Sequence, residues 1–289
     1  MPLFSRPDGK PVEDVPAVRR IMPFIMPTRT ESAVYFEQEI DLARTEPFIT
    51  AFNASHPRRI TVFHVFLWAV TRALAQRPRM NRFVMGSRLY QRDGIWLSFA
   101  AKKSLSDDAP LVTLKRRFDP AQTFTQLVDF VHGDVGVGRS DQKSHVDNEL
   151  SFFLRIPAPV LRLAVRLLRW LDGWNLLPGA FIHPDPMYTS MFVANLGSVR
   201  LESAFHHLYE YGNCPLFAAI GRKRESWSLD ANGQRVPRPT CSIKYTFDER
   251  VEDGLYCASS LEMLKAMIED PVAHGALADA APVAISAAG

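Results

Sequence analysis

The sequence predicts a single α/β domain of about 250 residues, a mixed sheet covered by helices. Three observations predict it. Short runs of β-formers alternate with longer apolar runs of helical character along the chain. Apolar residues make up 47% of the 289 and charged residues 22%, enough to bury a core and too apolar for disorder. No internal repeat interrupts the pattern.

The elements follow in order. Residues 1–15 are polar and Pro-rich and read as a flexible arm. Ser32 to Leu42 alternates β-formers with polar residues and reads as a strand. Thr45 to Asn53 reads as a short helix. Thr61 to Gln76 reads as a buried helix, with Thr61 as N-cap and Pro78 as its stop. Ser87 to Gln91 and Ile95 to Ala101 read as strands joined by a hairpin turn at Arg92-Asp93-Gly94. Leu111 to Lys115 is a further strand and Pro120 to His132 an amphipathic helix. Gly133 to Asn148, rich in Gly, Ser and Asp, reads as a loop.

Pro157 to Asp172 is predicted helical, with Arg155, Arg162, Arg166 and Arg169 within one narrow arc of an otherwise apolar surface. That region, about 150–186, looks like an insertion. Tyr188 to Ala194, Leu216 to Arg222 and Cys241 to Phe247 read as strands, the last two joined by a polar hairpin at Asp230 to Gly233. Ser259 to Ile268 is the last helix. The Ala-rich tail, 272–289, is expected to be loose.

Charge and cysteine content exclude several classes. A net charge of +3 and the lack of an aromatic–basic or Cys/His signature argue against nucleic acid. Three scattered cysteines, Cys214, Cys241 and Cys257, argue against a disulfide framework and suit a cytoplasmic protein. No Cys-x-x-Cys pair points to a metal. The N-terminus lacks the apolar run of a signal peptide, and no window of about 18 residues is free of charge.

Two C-terminal segments carry a resemblance. Ser242 to Gly254 reads SIKYTFDERVEDG and runs into a helix. Phe192 to Gly197 reads FVANLG and is followed by Asn213-Cys214-Pro215 and the strand to Gly221. Together they resemble the catalytic domain of the 2-oxoacid dehydrogenase acyltransferases, the dihydrolipoamide acyltransferases, whose signature strand ends in Asp-His-Arg-Val-x-Asp-Gly. In the N-terminal half, VRRIMPFIMPTRTES and Arg77 to Asn81 fit the same family, so the resemblance covers roughly residues 18–270. It implies a chloramphenicol-acetyltransferase-like two-layer sandwich, a homotrimer with sites at the subunit interfaces, and acyl-coenzyme A or another acyl-thioester as substrate. The sequence carries no lipoyl attachment segment. The family's histidine is a general base toward a thiol, and a serine donates to the oxyanion.

Both groups differ here. Glu249 occupies the histidine slot and Ala194 the serine slot, while Asp248, Arg250, Asp253 and Gly254 remain. A free Glu has a pKa near ~4.3 against ~6.5 for His, so it is the weaker base unless its surroundings raise it. Three readings stay open: Glu249 as base in a divergent acyltransferase, a catalytically silent trimeric scaffold, and another reaction in the same channel. The catalytic candidates are Glu249, Asp253, His206 and His207, the two histidines as a displaced base. Ser190, Asn195, Ser198 and Arg250 are the candidates for holding the thioester. Thr189 is a further hydroxyl close to the empty serine slot. His64 reads as a packed core histidine and Cys214 as structural. The Arg-edged helix admits subunit packing, an anionic membrane surface, or coenzyme A phosphates.

Overall fold

The structure is a computed structural model and describes residues 5–102, 111–139 and 156–277. Six strands form the main sheet: β2 (Ala33–Asp41), β5 (Ile95–Lys102), β6 (Leu111–Phe118), β7 (Met191–Asn195), β8 (Leu216–Leu229) and β9 (Arg235–Asp248), in the order β2-β9-β8-β7-β5-β6. The pairs β8/β7 and β7/β5 are parallel and the others antiparallel. Helices α2 (Thr45–Ser55), α3 (Val62–Gln76), α4 (Phe124–Arg139) and α7 (Gly254–Glu269) contribute Phe52, Trp68, Val128 and Leu264 to one core with Leu97, Val193 and Ile243 of the sheet. The mixed sheet with helices is therefore as the sequence predicts.

Three expectations are corrected. Arg92-Asp93-Gly94 is not a hairpin. β4 (Arg88–Arg92) pairs with β1 (Gly9–Pro11) and β3 (Arg82–Met85) in a small second sheet, whereas β5 belongs to the main sheet. The chain changes sheets at this turn. The true hairpin is β3–β4, closed by Gly86-Ser87, whose φ values of 55° and 60° suit a primed two-residue turn. The Gly133 to Asn148 stretch begins as helix, since α4 runs to Arg139; residues 140–148 lie outside the described ones.

The N-terminal stretch, expected as a flexible arm, contains β1 and two buried charges, Arg6 and Asp8. Arg6 binds Asp8 (2.6 Å) and Asp172 (2.7 Å), at the end of helix α5 (Ala158–Gly173), which the short helix α6 (Gly179–Ile182) follows. Tyr188 donates to Asp172 (2.8 Å). Asn213 donates to Asp8 (2.7 Å) and accepts from Arg92 (2.7 Å). Burial works against the Arg6 charge, yet the carboxylates of Asp8 and Asp172 hold its pKa above the ordinary value. In the tail, Ala276 is buried against the main core, and residues beyond 277 lie outside the described ones.

The start of α3 has a consequence for pH. Thr61 caps the helix and its backbone N–H donates to His64 Nδ1 (3.2 Å), in a capping box with histidine in the usual Glu/Gln position. Burial, and the stacked ring of His132 at 5.1 Å, lower the His64 pKa from 6.5 to about 4. The folded state thus keeps this imidazole neutral while the unfolded chain takes up a proton. Stability from this site is complete above pH 6.5 and is lost as pH falls toward 4, on the order of 3 kcal/mol. Chemical denaturation at a series of pH values should show this fall, and His64→Gln, which keeps an acceptor, should flatten it.

Candidate active site

The turn after β9 is built around one buried ion pair. Asp248 is fully buried, and its carboxylate accepts two bonds from the Arg250 guanidinium (2.8 and 2.7 Å), one from the Arg250 backbone (3.1 Å) and one from Ser32 Oγ (2.9 Å). Arg250 also donates to the Met26 carbonyl (3.0 Å), which ties the turn to the end of α1 (Ala17–Ile25). Val251 fills a small core with Val84 and Leu89. Glu252 is buried between Arg79 and Arg82 (3.4 and 3.3 Å).

Glu249 projects from this pinned turn. Its backbone N–H donates to Ser32 O and its carbonyl accepts from Arg19 of α1. The side chain is half-buried, and its carboxylate makes no hydrogen bond or ion pair with a described residue. Exposed apolar side chains stand nearby: Val18 and Ile21 on α1, which Arg19 ties to this turn, and Leu255 at the start of α7. Asp253 is exposed and caps α7, accepting from Tyr256 N (2.9 Å); that bond lowers its pKa. Its carboxylate is thereby committed to the helix end. Gly254 is in the first turn of α7, and a Cβ there would meet open space, so local sterics do not demand the glycine.

Ala194 lies on the sheet face away from the main core. It pairs with Ala219, and together with Phe192, Phe217 and Leu208 it forms a separate apolar cluster. His206 covers this cluster, its ring flat on Phe217 at 4.0 Å and 3°. His207 stacks on His206 at 4.7 Å. The Nδ1 atoms of both rings lie beside backbone carbonyls (2.7 and 3.1 Å), which only accept, so each Nδ1 carries a proton. Phe217 is one row, two residues, from Ala219, so His206 lies roughly 7 Å along the strands from the Ala194 row.

The residues expected to hold a thioester do not converge within one chain. Ser190 is buried and its hydroxyl accepts from Trp96 N (2.9 Å). Thr189 donates to Trp96 O (2.7 Å). Asn195 pairs with Ile220 and follows the strand alternation to the main-core face. Ser198 is exposed and donates to the Asn195 carbonyl (2.7 Å). Arg250 is consumed by Asp248. A cavity of about 220 Å³ lies behind the turn, lined by Arg29, Arg169, Glu210 and Arg250 but not by Glu249. Among the described residues no cluster of His, Cys, Asp or Glu is arranged to hold a metal ion.

The separation of the two slots matters more than either alone. Ala194 pairs through Ala219 with Lys244, and Glu249 lies five residues further on, one past the end of β9. At about 3.3 Å per residue that is ~16 Å along the strands, too far for one small reacting centre to touch both.

The fold is that of the acyltransferase cores similar to chloramphenicol acetyltransferase. A dihydrolipoamide acetyltransferase structure from Listeria monocytogenes superposes with a TM-score of 0.59 at 14% identity, covering 90% of this chain and 95% of that one. A dihydrolipoamide acetyltransferase from Azotobacter vinelandii, studied for a serine, a histidine and an asparagine in its catalytic mechanism, superposes with a TM-score of 0.58 at 17% identity, covering 91% and 93%. Chloramphenicol acetyltransferase itself gives 0.54 at 13%, covering 91% and 98%. No protein-family model and no curated protein sequence matches the chain. The chain thus shares the fold of the dihydrolipoamide acyltransferase cores at 14–17% identity.

Proposed function

We propose that the protein transfers an acyl group from an acyl-thioester, acyl-coenzyme A foremost, to an acceptor, with Glu249 as general base. One observation carries this reading. The Asp248–Arg250 clamp satisfies the polar groups around it and leaves the Glu249 carboxylate unpaired at the position of the family's base. An X–H acceptor attacks the thioester carbonyl carbon while Glu249 takes its proton. The C–S bond then breaks, and the thiolate recovers that proton from the Glu249 carboxyl. Ala194 offers no donor to the oxyanion, a loss that in comparable sites costs about 10²–10³ in rate. Slow turnover is therefore expected.

The ~16 Å between the two slots favours a site shared by two copies of the chain. The apolar side chains near Glu249 and those flanking the β7 face, Val199, Leu201 and Phe205, are all exposed in the single chain. Joining one patch to the other is a head-to-tail contact, which forms a ring where its rotation closes, and the resemblance supports a homotrimer as that ring.

The test is thiol release from a panel of acyl-coenzyme A thioesters by the wild type, Glu249→Gln, and the His206→Ala, His207→Ala double variant. The expected result is turnover that Glu249→Gln reduces by at least ~10²-fold, the low end of what a general base contributes, and that the histidine variant leaves largely intact. Loss in the histidine variant alone would move the base to the His206 cluster. Absence of both turnover and coenzyme A binding would leave a non-catalytic trimeric scaffold.

A further inference from the structure

Helix α5 (Ala158–Gly173) presents three different faces. Its inner face carries Leu168, packed on Leu177, Ile182 and Tyr188, and Asp172, the one buried residue of the helix. A second face carries Val160, Leu163, Leu167, Trp170 and, at the C-cap, Trp174. Their spacing of three, four, three and four residues puts them on one stripe. That stripe is open to solvent, with Leu163 67%, Leu167 53% and Trp170 56% exposed. A third face carries Arg162, Arg166 and Arg169. All three are exposed and none forms an ion pair with a described residue. Arg155, the fourth arginine of the predicted arc, lies outside the described residues.

We propose that this face of α5 docks on an anionic lipid bilayer, lying in the plane of the interface. Charge complementarity selects the occupant. From Ala158 to Trp174 the only acidic residue is Asp172, which faces inward to Arg6 and Tyr188. The helix's own exposed surface is therefore apolar and cationic, and of its three arginines Arg169 also lines the cavity that holds Glu210. A second α5 would bring arginines against arginines. An anionic headgroup layer satisfies the guanidinium row while the adjoining aliphatic and indole side chains enter the acyl boundary. Trp170 and Trp174 suit that boundary, where indole rings concentrate. No described helix is long and apolar enough to cross a membrane, so contact along the surface is the geometry available to α5.

Anchoring of the inner face leaves the stripe free to engage without unfolding. Gly173 abuts the β3–β4 hairpin so closely that a Cβ on Gly86 would come within 2.0 Å of its carbonyl oxygen. Together with the Arg6–Asp172 pair, this fixes the C-terminal end of α5 on the domain.

The experiment is co-sedimentation of the full chain with vesicles of equal parts phosphatidylcholine and phosphatidylglycerol, and with phosphatidylcholine vesicles alone. Two variants accompany the wild type: Arg162→Gln, Arg166→Gln, Arg169→Gln, and Leu163→Gln, Trp170→Gln. All altered side chains are exposed, and circular dichroism together with the oligomeric mass checks that each variant keeps its fold and assembly. The expected result is binding to the anionic vesicles that the triple arginine variant weakens on the order of 100-fold, that added salt weakens, and that the apolar variant also loses. Three results would each overturn the proposal: no wild-type sedimentation with anionic vesicles, equal binding by all three proteins, or conversion of the oligomer to monomer by the apolar variant, which would make the stripe a contact between copies.

Discussion

Replacing Asp172 with alanine is expected to destabilise the domain by about 3–5 kcal/mol, the range for breaking a buried ion pair from one side. The size follows from what remains. Arg6 is buried and spans Asp8 and Asp172, and Tyr188 has its hydroxyl directed at the lost carboxylate. Removing Asp172 strips one counter-charge from a guanidinium with no access to water and leaves a phenol without its acceptor. The network continues through Asp8 to Asn213 and Arg92, so the N-terminal stretch, the small sheet and the segment before β8 all feel the loss. Urea unfolding measures it. Arg6→Met combined with Asp172→Leu should recover part of the loss, because an apolar pair leaves no unpaired charge at that contact. An unchanged midpoint for Asp172→Ala would contradict this account of how the N-terminus and α5 are held.

The second large effect is expected at Asp248→Ala. Its carboxylate is the sole ion-pair partner of the Arg250 guanidinium among the described residues, and it also accepts from Ser32. Alanine leaves a nearly inaccessible arginine unpaired, again a cost of about 3–5 kcal/mol. Asp248→Asn, which keeps acceptor capacity on one atom, should cost less. The variant also bears on the reaction, since the clamp orients the turn from which Glu249 projects. In conditions where Asp248→Asn remains folded, thiol release should fall well below wild type while the helix content by circular dichroism is unchanged.

The comparison of sequence and structure divides by the range of the interactions. Local signals were sufficient for α3, whose Thr61 cap and apolar periodicity are contiguous, and for the β8–β9 hairpin at Asp230 to Gly233. They were misleading at Arg92-Asp93-Gly94, because a turn and two β-prone runs look the same whether the strands pair with each other or part into different sheets. The Arg6–Asp8–Asn213–Arg92 network joins residues as far as 205 positions apart, and nothing near Arg6 marks it as buried. At the candidate site, the motif frame from Asp248 to Gly254 was legible as a string, whereas the pairing of Asp248 with Arg250, which takes Arg250 away from the expected thioester role, needed coordinates. What no string carries is the ~16 Å separation between the Glu249 and Ala194 slots, which depends on strand register. The commitment of Ser190 to Trp96 and of Asp253 to the start of α7 likewise needed coordinates.

The central claim is that Glu249 of one copy acts against the β7 face of the next. The most direct measurement of it is complementation between Glu249→Gln and Ala194→Phe, a bulky block on the β7 face, after the two inactive variants are unfolded together and refolded as mixed oligomers. The account predicts that thiol release from acyl-coenzyme A returns in the mixture, because some interfaces then pair an intact Glu249 with an intact β7 face. Two variants that stay inactive when mixed, in oligomers shown to contain both chains, would contradict it.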